Sequence, residues 1–428
     1  MKSTSRIVIG ILAVAAFPAF GQDVLTLSDC LSMAGRNNPS VAAAQASVDK
    51  AGFDRRGAYS DFLPQLSANA QSGKQKSDGE ASSTESDSYG VSAKQTLYAG
   101  GKNRAAVRKS TAAFDAAGAQ RAGVGAQVTY EVRQSFAELL FAQEQIRLAR
   151  EIEKRQRDNL AMIELRYEGG RENKGALLRM QAVVREAQFG TAQAERNLRV
   201  FQRQLLKAMG SESKAAVTAQ GELKPVAPGR GGDFSGLVEG TPEYRQALAG
   251  FQSAQAALAS ARSQNYPELS ANASASRGGE SWMPERDEWF VGLSLSYPFF
   301  PGGRNLMDVR SARAELRRSE ESLAATGAET GLSLEKAFAD YEEAFGQTEV
   351  ETSYLEAAKV RAEISRTQYD SGLTTFEEWD RIENELIARQ KSELNGRKAV
   401  VVAEAAWEKA QGLNLLPESG PDRADRKK

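Results

Sequence analysis

The 428-residue chain contains no histidine and a single cysteine, Cys30. Imidazole-based triads and zinc sites built on His or paired Cys are therefore excluded, and Cys30 has no partner for an intramolecular disulfide. Basic and acidic residues nearly cancel, 55 against 56, so the one-signed field of a nucleic-acid-binding surface is missing. After the first 21 residues no run approaches the ~18 apolar residues of a membrane-spanning helix. Acidic residues are plentiful, but none sits in a pocket-like motif. A carboxylate-pair hydrolase has nothing in the sequence to support it, and no enzymatic activity, cofactor or metal is expected.

What is present begins at the N-terminus. Lys2 and Arg6 precede an apolar stretch at 7–20, and Ala19-Phe20-Gly21 places small residues three and one positions before Gln22. This is the pattern of a secretory signal peptide, expected to occupy residues 1–21. The stretch falls short of the ~20 residues that a helical anchor needs. Cys30 follows no lipobox-like sequence, so a lipid anchor is not expected. A protein exported in this way can enter a membrane only as strands.

The rest of the chain repeats itself. Pro64-Gln65-Leu66-Ser67-Ala68-Asn69-Ala70 recurs from Pro267 to Ala273, an offset of 203, and Gly100-Gly101-Lys102-Asn103 recurs at Gly302-Gly303-Arg304-Asn305, an offset of 202. Phe136-Ala137, Tyr167, Gly170 and Lys207-Ala208 match Phe338-Ala339, Tyr369, Gly372 and Lys409-Ala410 at the same offset. Two copies of one unit are expected, at 22–209 and 241–412, joined by a Gly/Pro-rich linker at 210–240 and followed by a polar tail at 413–428.

Each copy reads alike. A helix opens it (27–56 or 242–263), and a strand follows (64–71 or 267–276). After a polar loop (72–88 or 277–288) comes a second strand (89–98 or 289–299). A proline-free helical stretch then runs 103–167 or 305–369, about 100 Å at ~1.5 Å per residue. A second long helix returns at 175–209 or 375–411. A short strand is expected near 215–219.

The strands alternate. Val291, Leu293, Leu295 and Tyr297 share one face, against Gly292, Ser294 and Ser296 on the other; Leu269, Ala271, Ala273 and Ala275 oppose Ser270, Asn272 and Ser274. Aromatic residues gather near the strand ends: Tyr59, Phe62, Tyr89, Tyr98, Tyr266, Trp289 and Phe300. A soluble sheet with one wet face would also alternate, but secretion and the aromatic rims favour lipid against Val291, Leu293, Leu295 and Tyr297. A sheet in lipid cannot keep open edges, and four strands are fewer than the ~8 of the smallest spanning barrels, so chains must pool strands. Two copies would fill the lumen with side chains, whereas three leave a passage. Below the strands, Val132, Phe136, Leu139 and Ile146, and likewise Leu334, Phe338, Tyr341 and Phe345, recur at coiled-coil spacing. Both stripes are too narrow for a solid core and suit a hollow wall. A secreted coiled-coil scaffold or stalk is the alternative, but it leaves the duplicated strands without a reason.

At this point the chain resembles the TolC-type outer-membrane efflux proteins. The resemblance is carried by Leu63-Pro64-Gln65-Leu66, Leu97-Tyr98-Ala99-Gly100-Gly101, Arg166-Tyr167-Glu168-Gly169-Gly170 and Gln368-Tyr369-Asp370-Ser371-Gly372. It implies an α+β membrane protein: four transmembrane strands per chain completing a trimeric twelve-stranded β-barrel, continued by a twelve-helix periplasmic α-barrel. It further implies an exit duct in a tripartite efflux or type I secretion system, partnered by a periplasmic adaptor protein and an inner-membrane transporter of RND or ABC type.

By the same resemblance the turns holding Gly170, Arg171, Glu172, Gly372 and Thr374 form the periplasmic tip, which is both gate and adaptor contact. Tyr369 matches the family's latch tyrosine, but its usual arginine partner corresponds to Thr374 and the acidic one to Ala176. Arg171, Glu172 and Glu377 could supply a different latch. Glu378 falls where the family often has a constriction-ring aspartate, one turn before Arg381. A ring of three Glu378 carboxylates would attract cations and repel anions at the narrowest point.

Overall fold

The structure is a computed structural model describing residues 23–75, 84–213, 215–229, 231–279 and 286–417. The expected leader and the tail beyond 417 lie outside the described residues. Two helices dominate, α3 (Lys102–Glu168) and α7 (Arg304–Asp370), each of 67 residues and therefore about 100 Å long. Each starts at a glycine with positive φ, Gly101 or Gly303. Each is followed by a turn and a 35-residue partner, α4 (Lys174–Ala208) or α8 (Phe376–Ala410). The shorter helices α1 (Leu27–Asn37), α2 (Pro39–Gly57), α5 (Ser235–Val238) and α6 (Pro242–Ser263) flank the other ends of the long pair.

The helix expected over 27–56 is two helices. Pro39 lacks an N–H and pushes the residue before it out of the helical region, so Asn38 is extended (φ −70°, ψ 121°). Its side chain then caps α2 by accepting from Ser40 N at 2.9 Å and donates to Ala208 O at 2.9 Å.

Four strands form one antiparallel sheet in the order β2 (Gln65–Gln75), β3 (Thr84–Ala99), β5 (Glu268–Gly279) and β6 (Arg286–Ser296). They run further into the expected polar loops than their hydrophobic residues alone suggested, because ladder pairing continues through hydrophilic partners such as Ser72↔Asp87 and Arg277↔Asp287. What remains between them, 76–83 and 280–285, lies outside the described residues. At its other end β6 stops at Ser296 rather than near 299, since Pro298 has no N–H to donate to the ladder. Within the chain the outer edges of β2 and β6 have no partner strand among the described residues.

The largest core lies part-way down α3. Val132, Phe136 and Leu139 are buried there against Cys30 and Leu31 of α1 and against Val217 of β4 (Val217–Ala219), which pairs in parallel with β1 (Asp23–Leu25). The stripe that suggested a helix–helix seam is thus roofed in part by this equatorial collar. Gln143 completes the roof with its amide: Nε2 donates to Ala219 O at 3.0 Å, and Oε1 accepts from Ala219 N at 2.8 Å. On the second stripe Phe338 packs edge-on to Trp407 and tilted against Phe234, and the Tyr341 hydroxyl donates to Val226 O at 3.0 Å. Burial pushes the Cys30 thiol up to about 12, so it is an inert packing group.

Candidate functional site

Two features of this fold remain unused by its own packing, and both follow from the duplication. The first is a sheet face. The ladder brings Leu66, Ala68 and Ala70 of β2 together with Val91 and Ala93 of β3, Ala271, Ala273 and Ala275 of β5, and Val291, Leu293 and Leu295 of β6. All point to one side. None of the described residues covers them: Val291, Leu293 and Leu295 are each about 70% exposed. Tyr297, just past β6, is exposed on the same margin beside Tyr98, Phe299 and Phe300, and Trp289 marks the opposite margin. Trp289 to Tyr297 is eight steps of ~3.3 Å, or ~20 Å of height at a ~40° tilt, close to the apolar band of an outer-membrane barrel. The reverse face is hydrophilic, with Ser67 and Ser92 sharing a 2.7 Å hydroxyl contact.

The second feature lies at the far end of the long helices. The turns after α3 and α7 are built alike: Gly170 (φ +67°) and Gly372 (φ +74°) reverse the chain, while Arg171 N donates to Arg166 O and Leu373 N to Gln368 O, each at 2.8 Å. These bonds satisfy the helix-end carbonyls in the geometry that glycine alone adopts without strain. Asn173 and Thr375 then cap α4 and α8 through Ala176 N and Glu378 N.

The two turns meet over a small core of Ile163, Ala176, Met180, Tyr369, Phe376 and Trp379. Tyr369 is buried and stacks on Trp379 at 4.8 Å with 6° between the ring planes. Its hydroxyl donates to Glu172 Oε2 at 2.6 Å. Arg166 lies over its other face, 4.4 Å from the ring centroid, and donates to its backbone carbonyl at 3.0 Å. Burial first, then the bond to Glu172, raises the phenol pKa, so Tyr369 stays protonated as a donor. Two further links tie the hairpins together. Arg179 Nη2 stands 2.6 Å from Asp380, and Arg155 Nε lies 3.3 Å from the buried Glu383 Oε2 but out of line for a hydrogen bond.

Of the residues the sequence singled out, Glu172 and Tyr369 do meet. Ala176, where the family pattern would have an acid, is core instead. Arg171 and Glu377 form no ion pair among the described residues, and Thr374 sits partly exposed in the turn. Arg166 and Trp379 were missed as contact residues. An arginine four positions before the turn glycine Gly170 and a tryptophan in the helix after Tyr369 were visible, but not that Arg166 reaches the Tyr369 ring across about 200 residues of chain or that Trp379 folds back onto it.

Glu378 needs a correction. Arg381 holds it at both oxygens, 2.6 and 2.9 Å, and Arg361 stands 3.8 Å away. The Arg381 bond is the main cause that lowers its pKa. Glu385 lies 3.1 Å from Arg361 and 4.0 Å from Arg381, so two acids and two bases form one neutral patch. The carboxylate expected to attract cations is a paired one.

Glu383 carries a pH dependence. Burial raises its pKa above 4.5, with Arg155 only partly opposing. A raised carboxyl pKa contributes stability that is complete below the unfolded value and lost as pH rises through the folded one. The melting temperature of the protein relative to Glu383→Gln should therefore increase as pH falls from 7.5 towards 4.5. A difference that shrinks on acidification would contradict the assigned burial.

Among the described residues no cluster of three metal-binding side chains occurs, and no helix is long and apolar enough to cross a membrane. The family model for outer membrane efflux proteins matches residues 30–211 and 236–413. Protein CyaE of Bordetella pertussis is 25% identical over 94% of this chain and 85% of its own length. The pyoverdine export outer membrane protein OpmQ of Pseudomonas aeruginosa is 25% identical over 90% and 85%. The crystal structure of CusC superposes with a TM-score of 0.82 at 19% identity, covering 96% of this chain and 98% of that one. The fold is thus the one seen in CusC. The chain belongs to the outer membrane efflux protein family, and it serves as an exit duct in the outer membrane that extends into the periplasm.

Proposed function

We propose that three copies close one twelve-stranded barrel and one twelve-helix tunnel, forming a passive channel gated at the two-hairpin tip. The observation that carries this is the sheet itself: a continuous, uncovered apolar face with aromatic margins and two unpaired edges. In lipid, open edges leave backbone groups unsatisfied at several kcal/mol each, and β6 of one copy beside β2 of the next removes them. The helices inherit that threefold arrangement. A stalk protein would have no use for such a face.

Residues 22–209 and 241–412 then act as two equivalent wall segments per copy, with the 210–240 linker part of the equatorial collar. The tip, with Gly170, Arg171, Glu172, Gly372 and Thr374 on its surface, is the contact for a periplasmic adaptor protein. An inner-membrane transporter of RND or ABC type supplies the energy, since the duct holds no chemistry of its own. Extraction only by detergent, a trimer mass and discrete single-channel conductance are the expected results. A water-soluble monomer would end the proposal.

Glu378 and Arg381 line the constriction as ion pairs. Removing either member leaves the other's charge, so Glu378→Gln should move selectivity towards anions and Arg381→Gln towards cations by comparable amounts. Reversal potentials in asymmetric salt read this directly. Unchanged potentials in both would take the pair out of the pore.

A further inference from the structure

We propose that the barrel lumen holds a second selective site, formed by Phe290 and Lys94, that favours planar aromatic anions. The inference rests on the closed trimeric barrel proposed above. On the polar face of the sheet, the three central ladder rows are almost wholly hydroxyls and amides: Ser294 with Ser270, Gly292 with Asn272, and Phe290 with Ser274, continued across β3 by Thr96, Lys94 and Ser92. Two residues break that pattern. Lys94 is the only formal charge in these rows, and no carboxylate lies within ion-pair distance of it among the described residues. Phe290 is the only aromatic in them and is 57% exposed on a face meant for water.

Their placement relates them. The Cζ end of the Phe290 ring reaches over Gly292: a Cβ added at Gly292 would stand 2.6 Å from it. Gly292 shares a ladder row with Asn272 and Lys94, so the backbones that carry ring and ammonium are two strands apart, about 10 Å. A flat anion spans that distance, stacking on the ring while its acidic group meets the ammonium. Three copies repeat the pair around the lumen. A cation would meet the same ring only beside a like charge. Glu288 lies one row towards the outer end and Glu268 at the helix end, so the favoured anion is held between two acidic levels and not drawn through a uniformly basic pore.

The test is block of single-channel current by naphthalene-1,3,6-trisulfonate added at the extracellular side of reconstituted full-length trimers, where the barrel is reached before the tip. Lys94→Gln should weaken block roughly tenfold, an effect of order one charge contact. Lys94→Arg should preserve it, and Phe290→Ala should weaken it. Gly292→Ala, which adds no charge, should turn the ring into the lumen and lower open conductance. Equal block of all variants in a conducting channel overturns the proposal, as does block by spermine that is as strong as block by the trisulfonate. A wild-type protein that forms no channel would instead fail at the barrel reading, and this site with it.

Discussion

Leu293→Arg should destabilise the inserted protein by about 2–4 kcal/mol per chain, the cost of an arginine near the bilayer midplane on a barrel's lipid face. Leu293 sits in the middle of the apolar band, across the ladder from Ala271, with Val291 and Leu295 two residues away on the same side. Neither neighbour offers a counter-charge, and three copies place three such arginines in one hydrocarbon belt. The adjacent Ser294→Arg points to the wet face and should be close to neutral. Urea unfolding from phospholipid vesicles, with heat-modifiable migration as a folding check, separates the two. Equal sensitivity at both positions would mean that the two faces do not meet different solvents.

Tyr369→Ala should loosen the tip far more than loss of the Tyr369 hydroxyl bond alone. Truncating a buried aromatic costs about 3–5 kcal/mol, and a stacked partner adds about 0.5–1.5 kcal/mol. Tyr369 meets both conditions, buried and stacked on Trp379. The one polar contact its side chain makes as a donor, the hydroxyl bond to Glu172, contributes about 1.5–3 kcal/mol as a hydrogen bond to a charged group. Packing therefore dominates closure. Tyr369→Ala is expected to raise single-channel conductance and protease sensitivity at the 169–173 and 371–375 turns, while Tyr369→Phe, which loses only the bond to Glu172, stays near wild type. If Tyr369→Phe opened the tip as fully as Tyr369→Ala, the hydroxyl bond would be the latch and the aromatic core incidental.

Much of this architecture is legible in the residues. The long helices begin and end within a residue or two of their expected limits because local chemistry sets both ends: glycine at positive φ before each start and after each finish, with no proline between. The four strands follow from a period of two that any half-buried strand must show. The Glu378–Arg381 pair was also available, since residues three apart on a helix are neighbours. The reading of Glu378 as a cation-attracting ring noted Arg381 one turn on but did not pair the two.

Other features were out of reach for a physical reason. Proline at 39 marks a helix boundary, but only the fold shows that Asn38 bonds across to Ala208. The stripe of Val132, Phe136 and Leu139 announces burial without naming the partner, and α1 and β4 compete for it on equal terms with a neighbouring helix. Arg166 and Arg155 acquire roles only when two hairpins some 200 residues apart are laid side by side, and Trp379 only when α8 folds back along α7.

Periodicity and turn chemistry are properties of neighbouring residues, and by themselves they determined the duplication, the element order and the apolar side of each strand. Which side chains touch across the tip, what roofs the equator and how Glu378 is neutralised were decided by tertiary structure alone. Those contacts depend on where rigid elements about 100 Å long come to lie against one another, and no local pattern encodes that.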